Sequence, residues 1–380
     1  MRVQLNEEQL LLQEMVRRFA EEVVAPRARE IDETGEFPRG FFDQAGELGL
    51  GGVAVPEEFG GAGMDSISYC VVVEEISRVC ASSGVILSVN NSLVCDPILG
   101  FGNDDQKKRF LTPLAAGEKL GCFALTEPGA GSDAAALRST AVRDGDEYVL
   151  NGNKVFITNG SHADLAIVFA SVDLEAKHKG ITAFIVDTGS DGYSTGSHEY
   201  KLGVNASGTT ELSFDDMRVP ADQRLGEEGE GFKIAMATLD GGRVGISAQA
   251  VGIAQGAFEE GLRYSQERQQ FGRSLSEFQA IQFYLADMST ELDAGRLLTW
   301  KAAWAKDNRK RYSLEAAQAK LFTSEMAQKV TNKALQIHGG YGYTREYNVE
   351  RYFRDARITE IYEGTSEIQK LVIANSILNG

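Results

Sequence analysis

The chain has 380 residues, 43% of them apolar and 24% charged, with a formal net charge of −17. That length allows two or three domains around a large buried core. The acidic balance argues against a nucleic-acid-binding surface, which needs clustered Lys and Arg.

Residues 1–118 read as an all-α domain. Asn6 caps a first helix, with Gln9 completing a capping box. Leu12, Met15, Val16, Phe19, Ala20 and Val23 form one apolar stripe, and Pro26 closes it. Gly-rich turns at 49–52 and 60–63 precede helices near 66–80, 85–100 and 104–116. Ser88, Asn90, Asn91 and Ser92 interrupt the second of these, where they either bond locally or face a ligand. Residues 119–228 change character, with β-rich runs (EYVLNGNKVFITNG, DLAIVFASV, GITAFIVD) around Asp144-Gly145 and Asn151-Gly152 turns. No helices alternate with these strands, so an antiparallel barrel or sandwich is expected rather than a doubly wound parallel sheet. Residues 229–380 are helical again. Helices are expected over about 231–266, from near Ser276, from Ser313 to Gly339-Gly340, and after Thr365. Four long amphipathic helices suggest a bundle. The expected class is α+β in three domains, 1–118, 119–228 and 229–380.

The cysteines, Cys70, Cys80, Cys95 and Cys122, have neither C-x-x-C nor zinc-ligand spacing and read as buried thiols of a reducing compartment. No two histidines have H-x-x-x-H spacing, so no metal site is expected. No apolar run reaches the roughly 18 residues of a membrane span. The acidic N-terminal MRVQLNEEQ leads straight into a helix, which fits neither a signal nor a transit peptide. A cytoplasmic protein is expected. Gly49–Ala54 and Gly129–Ala134 mimic a dinucleotide fingerprint but lack the strand–turn–helix setting it needs.

One carboxylate stands out. In RITEIYEGTSEIQ, Glu363 sits beside Gly364 in a short loop before a helix, and Ser366 and Gln369 have capping-box spacing. A carboxylate on a fixed turn, with glycine allowing close approach of a ligand, suits a general base. In TEPGAGS, the small residues and hydroxyls around Gly131 and Ser132 suit an anion-binding turn.

RDARITEIYEGTSEIQKLVIA resembles the C-terminal signature of the acyl-CoA dehydrogenases. CFALTEPGAGSD and RQQFGRSLSEFQAIQFYLADM resemble their other signatures, in the same order and spacing. The resemblance implies an N-terminal α domain, a middle β domain and a C-terminal four-helix bundle. It implies α,β-dehydrogenation of an acyl-CoA, with Glu363 removing the α-proton and FAD accepting the hydride. FAD contacts are implied at Phe123, Leu125, Thr126, Gly131 and Ser132, at Phe156, Ile157 and Thr158, and at Thr365 and Glu367. Further contacts, some reaching a neighbouring subunit's FAD, are implied at Arg268, Gln279, Gln336, Ile337, Gly339 and Gly340. Ser132, Asp240, Arg243 and Gly364 are implied to meet the acyl-CoA. A homotetramer and electron-transferring flavoprotein as electron acceptor follow from the same resemblance. Isovaleryl-CoA and long-chain members carry their Glu where this chain has Gly242. Glutaryl-CoA members carry Arg where it has Gly84. Both differences disfavour those subclasses, and the SVNNSL and LDGGR segments most resemble the short-chain, butyryl-CoA type; a branched or cyclic acyl-CoA, or a relative without activity, is the alternative.

Overall fold

The computed structural model describes residues 4–379. Its first third is helical: α1 (Glu7–Phe19), α2 (Ala28–Thr34), α3 (Arg39–Glu47), α4 (Ser66–Val79), α5 (Ala81–Ser88), α6 (Asp96–Phe101), α7 (Asp104–Gln106) and α8 (Thr112–Ala115). The predicted capping box at Asn6 is present, with Gln9 N–H donating to Asn6 at 2.8 Å and Asn6 N–H to Gln9 at 3.0 Å. Pro26 does not close this helix. The chain continues through a wide turn and a tight turn, Ala25–Arg27, into α2. Pro26 lies in the first turn of that tight segment, where a missing N–H costs little.

The polar residues of the second apolar run prove to be bonded within the protein. Asn90 accepts from the Gly121 N–H at 2.9 Å and donates to the carbonyls of Gly51 and Leu114. Asn91 accepts from Val53 N–H and donates to Leu50 and Leu87. They occupy a widened helical turn, Val89–Cys95, that joins α5 to α6. The joined segment Ala81–Phe101 is long and apolar enough to cross a membrane, contrary to the expectation from run length, yet 78% of its apolar window is buried inside the protein. Burial on all sides explains the missing polar face.

The middle region is one sheet of β1 (Gly121–Ala124), β2 (Thr140–Asp144), β3 (Glu147–Ile157), β4 (Leu165–Ser171), β5 (Ile181–Asp187), β6 (Tyr193–His198), β7 (Thr210–Pro220) and β8 (Arg224–Leu225). The strand order is β6-β7-β3-β2-β4-β5-β8, with β1 also against β4. It is not wholly antiparallel as expected: β1 runs parallel to β4, and Thr140 pairs in parallel with Ser171. β1 and β4 are separated by a long loop and the β2–β3 hairpin, length enough to turn the chain back into the same direction.

The last region holds α9 (Gly231–Glu267), a hairpin of β9 (Gln269–Gln270) and β10 (Arg273–Ser274), α10 (Gln279–Asn308), α11 (Ser313–His338), α12 (Val349–Arg357) and α13 (Ser366–Asn379). α9, α10, α11 and α13 are the four expected helices; α9 packs on α11, α10 and α4. α10 starts three residues later than expected, after a tight turn in which Ser274 and Glu277 form a capping box. α12 was not expected, because only nine residues with five charges hide its apolar stripe. It joins the three regions. Arg354 bonds Asp32 at 2.6 Å and the Leu202 carbonyl at 3.2 Å, Asp355 accepts from Val204 N–H at 2.6 Å, and Arg351 donates to the Val79 carbonyl.

Candidate active site

Glu363 stands between α12 and α13 in a turn with left-handed backbone, φ +51° at Glu363 and +93° at Gly364. A non-glycine residue held there stores strain of roughly 1–3 kcal/mol and needs surrounding contacts to keep it. Those contacts are present. Gln369 Nε2 donates to the carbonyls of Gly364 at 2.9 Å and Glu363 at 3.3 Å, and Lys320 Nζ donates to the Gly364 carbonyl at 2.6 Å. The expected capping box is therefore not formed. Thr365 caps α13 by accepting from Ile368 N–H, the Ser366 hydroxyl has no partner among the described residues, and Gln369 serves the turn instead.

The Glu363 side chain lies against Gly242 of α9. A Cβ at Gly242 would come within 2.0 Å of Glu363 Oε2 and 2.7 Å of Leu93 Cδ2, so only glycine leaves the carboxylate its place. Oε2 is sealed from solvent and accepts no hydrogen bond among the described residues. Burial pushes the Glu363 carboxyl up to about 7, against the pull of Lys320 and Arg243. Arg243 is tied to Asp240 at 2.6 Å, and Ser313 also donates to Asp240. Burial raises the Asp240 carboxyl as well.

A second group forms around β1 and β3. Glu127 and Ala130 exchange backbone hydrogen bonds, closing a turn from which Gly129 and Gly131 face open space, with no atom within 4 Å of a Cβ placed there. Ser132 is exposed, Leu125 buried and Thr126 half-buried. Phe123 packs against Phe169 with ring centroids 5.0 Å apart. Phe156 is left-handed, φ +59°, and 67% exposed, while Ile157 is buried and Thr158 half-buried beside it. A buried ion pair holds this turn: Lys154 Nζ bonds Glu127 at 2.8 Å and the Leu125 carbonyl at 3.2 Å. Glu127 also accepts from Ser139 Oγ at 2.6 Å and from the N–H groups of Arg138 and Ser139. Burial alone would raise the Glu127 carboxyl, but the Lys154 charge and these donors bring it below its usual value.

A third group lines an open cavity of about 530 Å³ at the end of α11. Arg268, Ile337, Gly339 and Gly340 meet there, with Arg268 5.5 Å from the Tyr341 ring. Gln279 and Gln336 are exposed and outside the lining.

The sequence matches the family profiles for the acyl-CoA dehydrogenase N-terminal domain over residues 6–118, the middle domain over 122–217 and the C-terminal domain over 229–378. The chain belongs to the acyl-CoA dehydrogenase family. It is 52% identical over 373 residues to the short-chain specific acyl-CoA dehydrogenase of Clostridium acetobutylicum, covering 98% of each chain. Among solved structures it is similar to butyryl-CoA dehydrogenase from Megasphaera elsdenii, with a TM-score of 0.98, 46% identity and all of both chains covered. A chain solved in work on the electron transferring flavoprotein of Acidaminococcus fermentans gives a TM-score of 0.99 at 49% identity, again over all of both chains.

Among acyl-CoA dehydrogenase signatures, the expected residues thus fall into three spatial groups. Glu363 and Gly364 gather with Asp240 and Arg243. Phe123–Ser132 lies with Phe156–Thr158, and Arg268 with Ile337–Gly340. Thr365 and the exposed Glu367 open α13. Gly84 has a packing reason of its own: a Cβ there would lie 2.0 Å from Ser77 Oγ in α4, so an Arg at this position would first have to displace that helix contact. Sequence reasoning passed over Glu127, Lys154 and Lys320. The signals were faint. Lys154 shares the inward side of β3 with Tyr148 and Leu150, and Lys320 lies on the buried stripe Ala316, Thr323, Ala327 and Val330 of α11.

Proposed function

We propose that this acyl-CoA dehydrogenase uses FAD and oxidises a short straight-chain acyl-CoA to the 2-enoyl-CoA, with Glu363 as the base. The carrying observation is a carboxyl pushed up to about 7 whose Oε2 is desolvated and has no partner among the described residues. A base works best with a pKa near the operating pH and no competing hydrogen bond to break. The residues fit the cofactor. Gly129 and Gly131 present an open turn for a phosphate-bearing ligand, and the exposed Phe156 presents a flat face. Bound FAD supplies a hydride acceptor; the chain supplies alignment.

Glu363 takes the α-proton onto its carboxylate. The left-handed turn sets the direction of that carboxylate, and Gly242 leaves room for it. The Glu363 N–H is one donor for the thioester oxygen as negative charge develops there, and a single such donor is typically worth about 3 kcal/mol. Arg243, paired with Asp240, and Ser132 lie toward the CoA chain. Arg268, Gln279, Gln336 and Ile337–Gly340 serve the adenosine half of a neighbouring subunit's FAD in a homotetramer, which accounts for the exposure of the two glutamines. Electron-transferring flavoprotein takes the electrons onward; the likeness to the Acidaminococcus chain supports that partner.

The purified protein should be yellow, release FAD on denaturation and lose its flavin absorbance when butyryl-CoA is added without oxygen. Glutaryl-CoA should bleach it far more slowly, because burying the distal carboxylate without a partner costs several kcal/mol. A colourless protein that takes up no FAD overturns the cofactor reading. Equal bleaching by the two thioesters overturns the substrate reading.

A further inference from the structure

Lys320 lies in the middle of α11 and has no exposed surface. Among the described residues its ammonium has one acceptor, the Gly364 carbonyl at 2.6 Å, and no carboxylate bonds it. A buried ammonium with so few partners is costly and rare. Nothing in the packing of α11 needs it, since its neighbours on the stripe are Ala316, Thr323 and Ala327. Its single bond instead fixes the second residue of the strained catalytic turn. Gln369 holds the same carbonyl from α13, so the turn is gripped from two helices.

We propose that Lys320 is a positioning residue for the reaction: it holds the Glu363–Gly364 turn through the Gly364 carbonyl, and its charge favours the ionised form of Glu363 that accepts the proton. The inference rests on Glu363 being the base. The charged groups facing the pair are few. Arg243 comes from α9 and Glu367 from α13, while Tyr362 precedes the base in the turn. Arg243 has its own carboxylate partner in Asp240, and Glu367 is exposed. Among the described residues, Lys320 is thus the one buried cation near Glu363 without a carboxylate bonded to it. Burial pushes its ammonium down to about 7, with Glu363 pulling the other way. Lysine and glutamate therefore titrate in the same range, and each favours the charge of the other.

The test compares holoenzyme variants Lys320→Met, Lys320→Gln and Lys320→Arg by stopped-flow flavin reduction with butyryl-CoA from pH 6 to pH 9.5. Removing an opposite charge typically moves a carboxylate pKa up by at least about one unit. The Met variant should therefore reduce its flavin about tenfold more slowly on the acid limb, with its midpoint displaced upward and the gap narrowing above pH 9. Lys320→Gln keeps a donor to the Gly364 carbonyl and removes only the charge, so it should show the displaced midpoint even if the Met variant fails to fold. Lys320→Arg keeps the charge and should keep the wild-type midpoint. A midpoint unmoved in the uncharged variants overturns the proposal, whether their rates are normal or are depressed equally at every pH. Glu363→Gln, run alongside, separates the two readings. If it reduces flavin near the wild-type rate, the base assignment is what fails.

Discussion

Two glutamates of the protein, Glu127 and Glu363, each stand near a buried lysine, and they are built in opposite ways. Glu127 is saturated: Lys154 at 2.8 Å, a serine hydroxyl and two backbone N–H groups meet its oxygens. Glu363 is starved. Its Oε2 has no partner among the described residues, and its lysine is spent on a neighbouring carbonyl. The first carboxyl is held below its usual value and the second is raised to about 7. A carboxylate whose lone pairs are all engaged is a structural ion that braces a loop. One denied partners has a lone pair to offer a proton. The residue type is the same in the two places; the hydrogen-bond inventory separates them.

Replacing each glutamate by glutamine should split the two roles. Glu127→Gln strands Lys154, and removing one member of a buried pair typically costs about 3–5 kcal/mol. Its denaturation midpoint should fall sharply and FAD should be retained poorly. The defect should ease as pH rises towards the paired lysine's value of about 8, because without Glu127 the buried amine loses its proton at lower pH and no longer needs a counter-ion. A midpoint unchanged at pH 6 would mean the pair does not brace the turn. Glu363→Gln breaks no hydrogen bond to Oε2 and leaves Lys320 its bond to the Gly364 carbonyl, so its midpoint should move far less than that of Glu127→Gln, while flavin reduction slows at least ~100-fold, the usual worth of a positioned base. A rate within a few fold of wild type would remove Glu363 from the mechanism.

The smallest expected effect sharpens the comparison by moving the starved carboxylate. In Glu363→Gly with Gly242→Glu, the new side chain starts from a Cβ position 2.0 Å from where Oε2 now lies. Part of the rate lost in Glu363→Gln should return, measured by the same flavin reduction. Recovery should be incomplete, because Leu93 crowds the new site and a misplacement of ~1 Å can cost ~10²-fold. No recovery would show that the turn contributes more than the location of a carboxyl group.

The three regions of the fold were legible because the apolar period changes from helical to strand-like near 119 and back near 229. Glu363 stood out in the sequence through the family resemblance of its motif, since a loop carboxylate beside a glycine is by itself an ordinary surface feature. Its partner did not stand out. A lysine on a helix reads as a solvated charge, and only the packing of α11 against the turn puts Lys320 inside. The capping box at Ser366 failed for a related reason. Local spacing offered Gln369 a place on its own helix, but the strained carbonyls of Glu363 and Gly364 are better acceptors for it. The parallel pairing of β1 with β4 depends on contacts far apart in the chain, which local patterns do not record.

Helix α12 has a consequence for the molecule as a whole. Its nine residues reach Asp32 and Val79 in the first region and Leu202 and Val204 in the middle one, through side chains that are largely buried. Parting that border would break all of these bonds together. One short helix thus ties the three regions to one another. Heat should meet a single body that melts in one event, and a protease should find no folded fragment to release. The Glu363–Gly364 turn follows closely on the end of this same helix, so its carboxylate should leave its place only when everything else does.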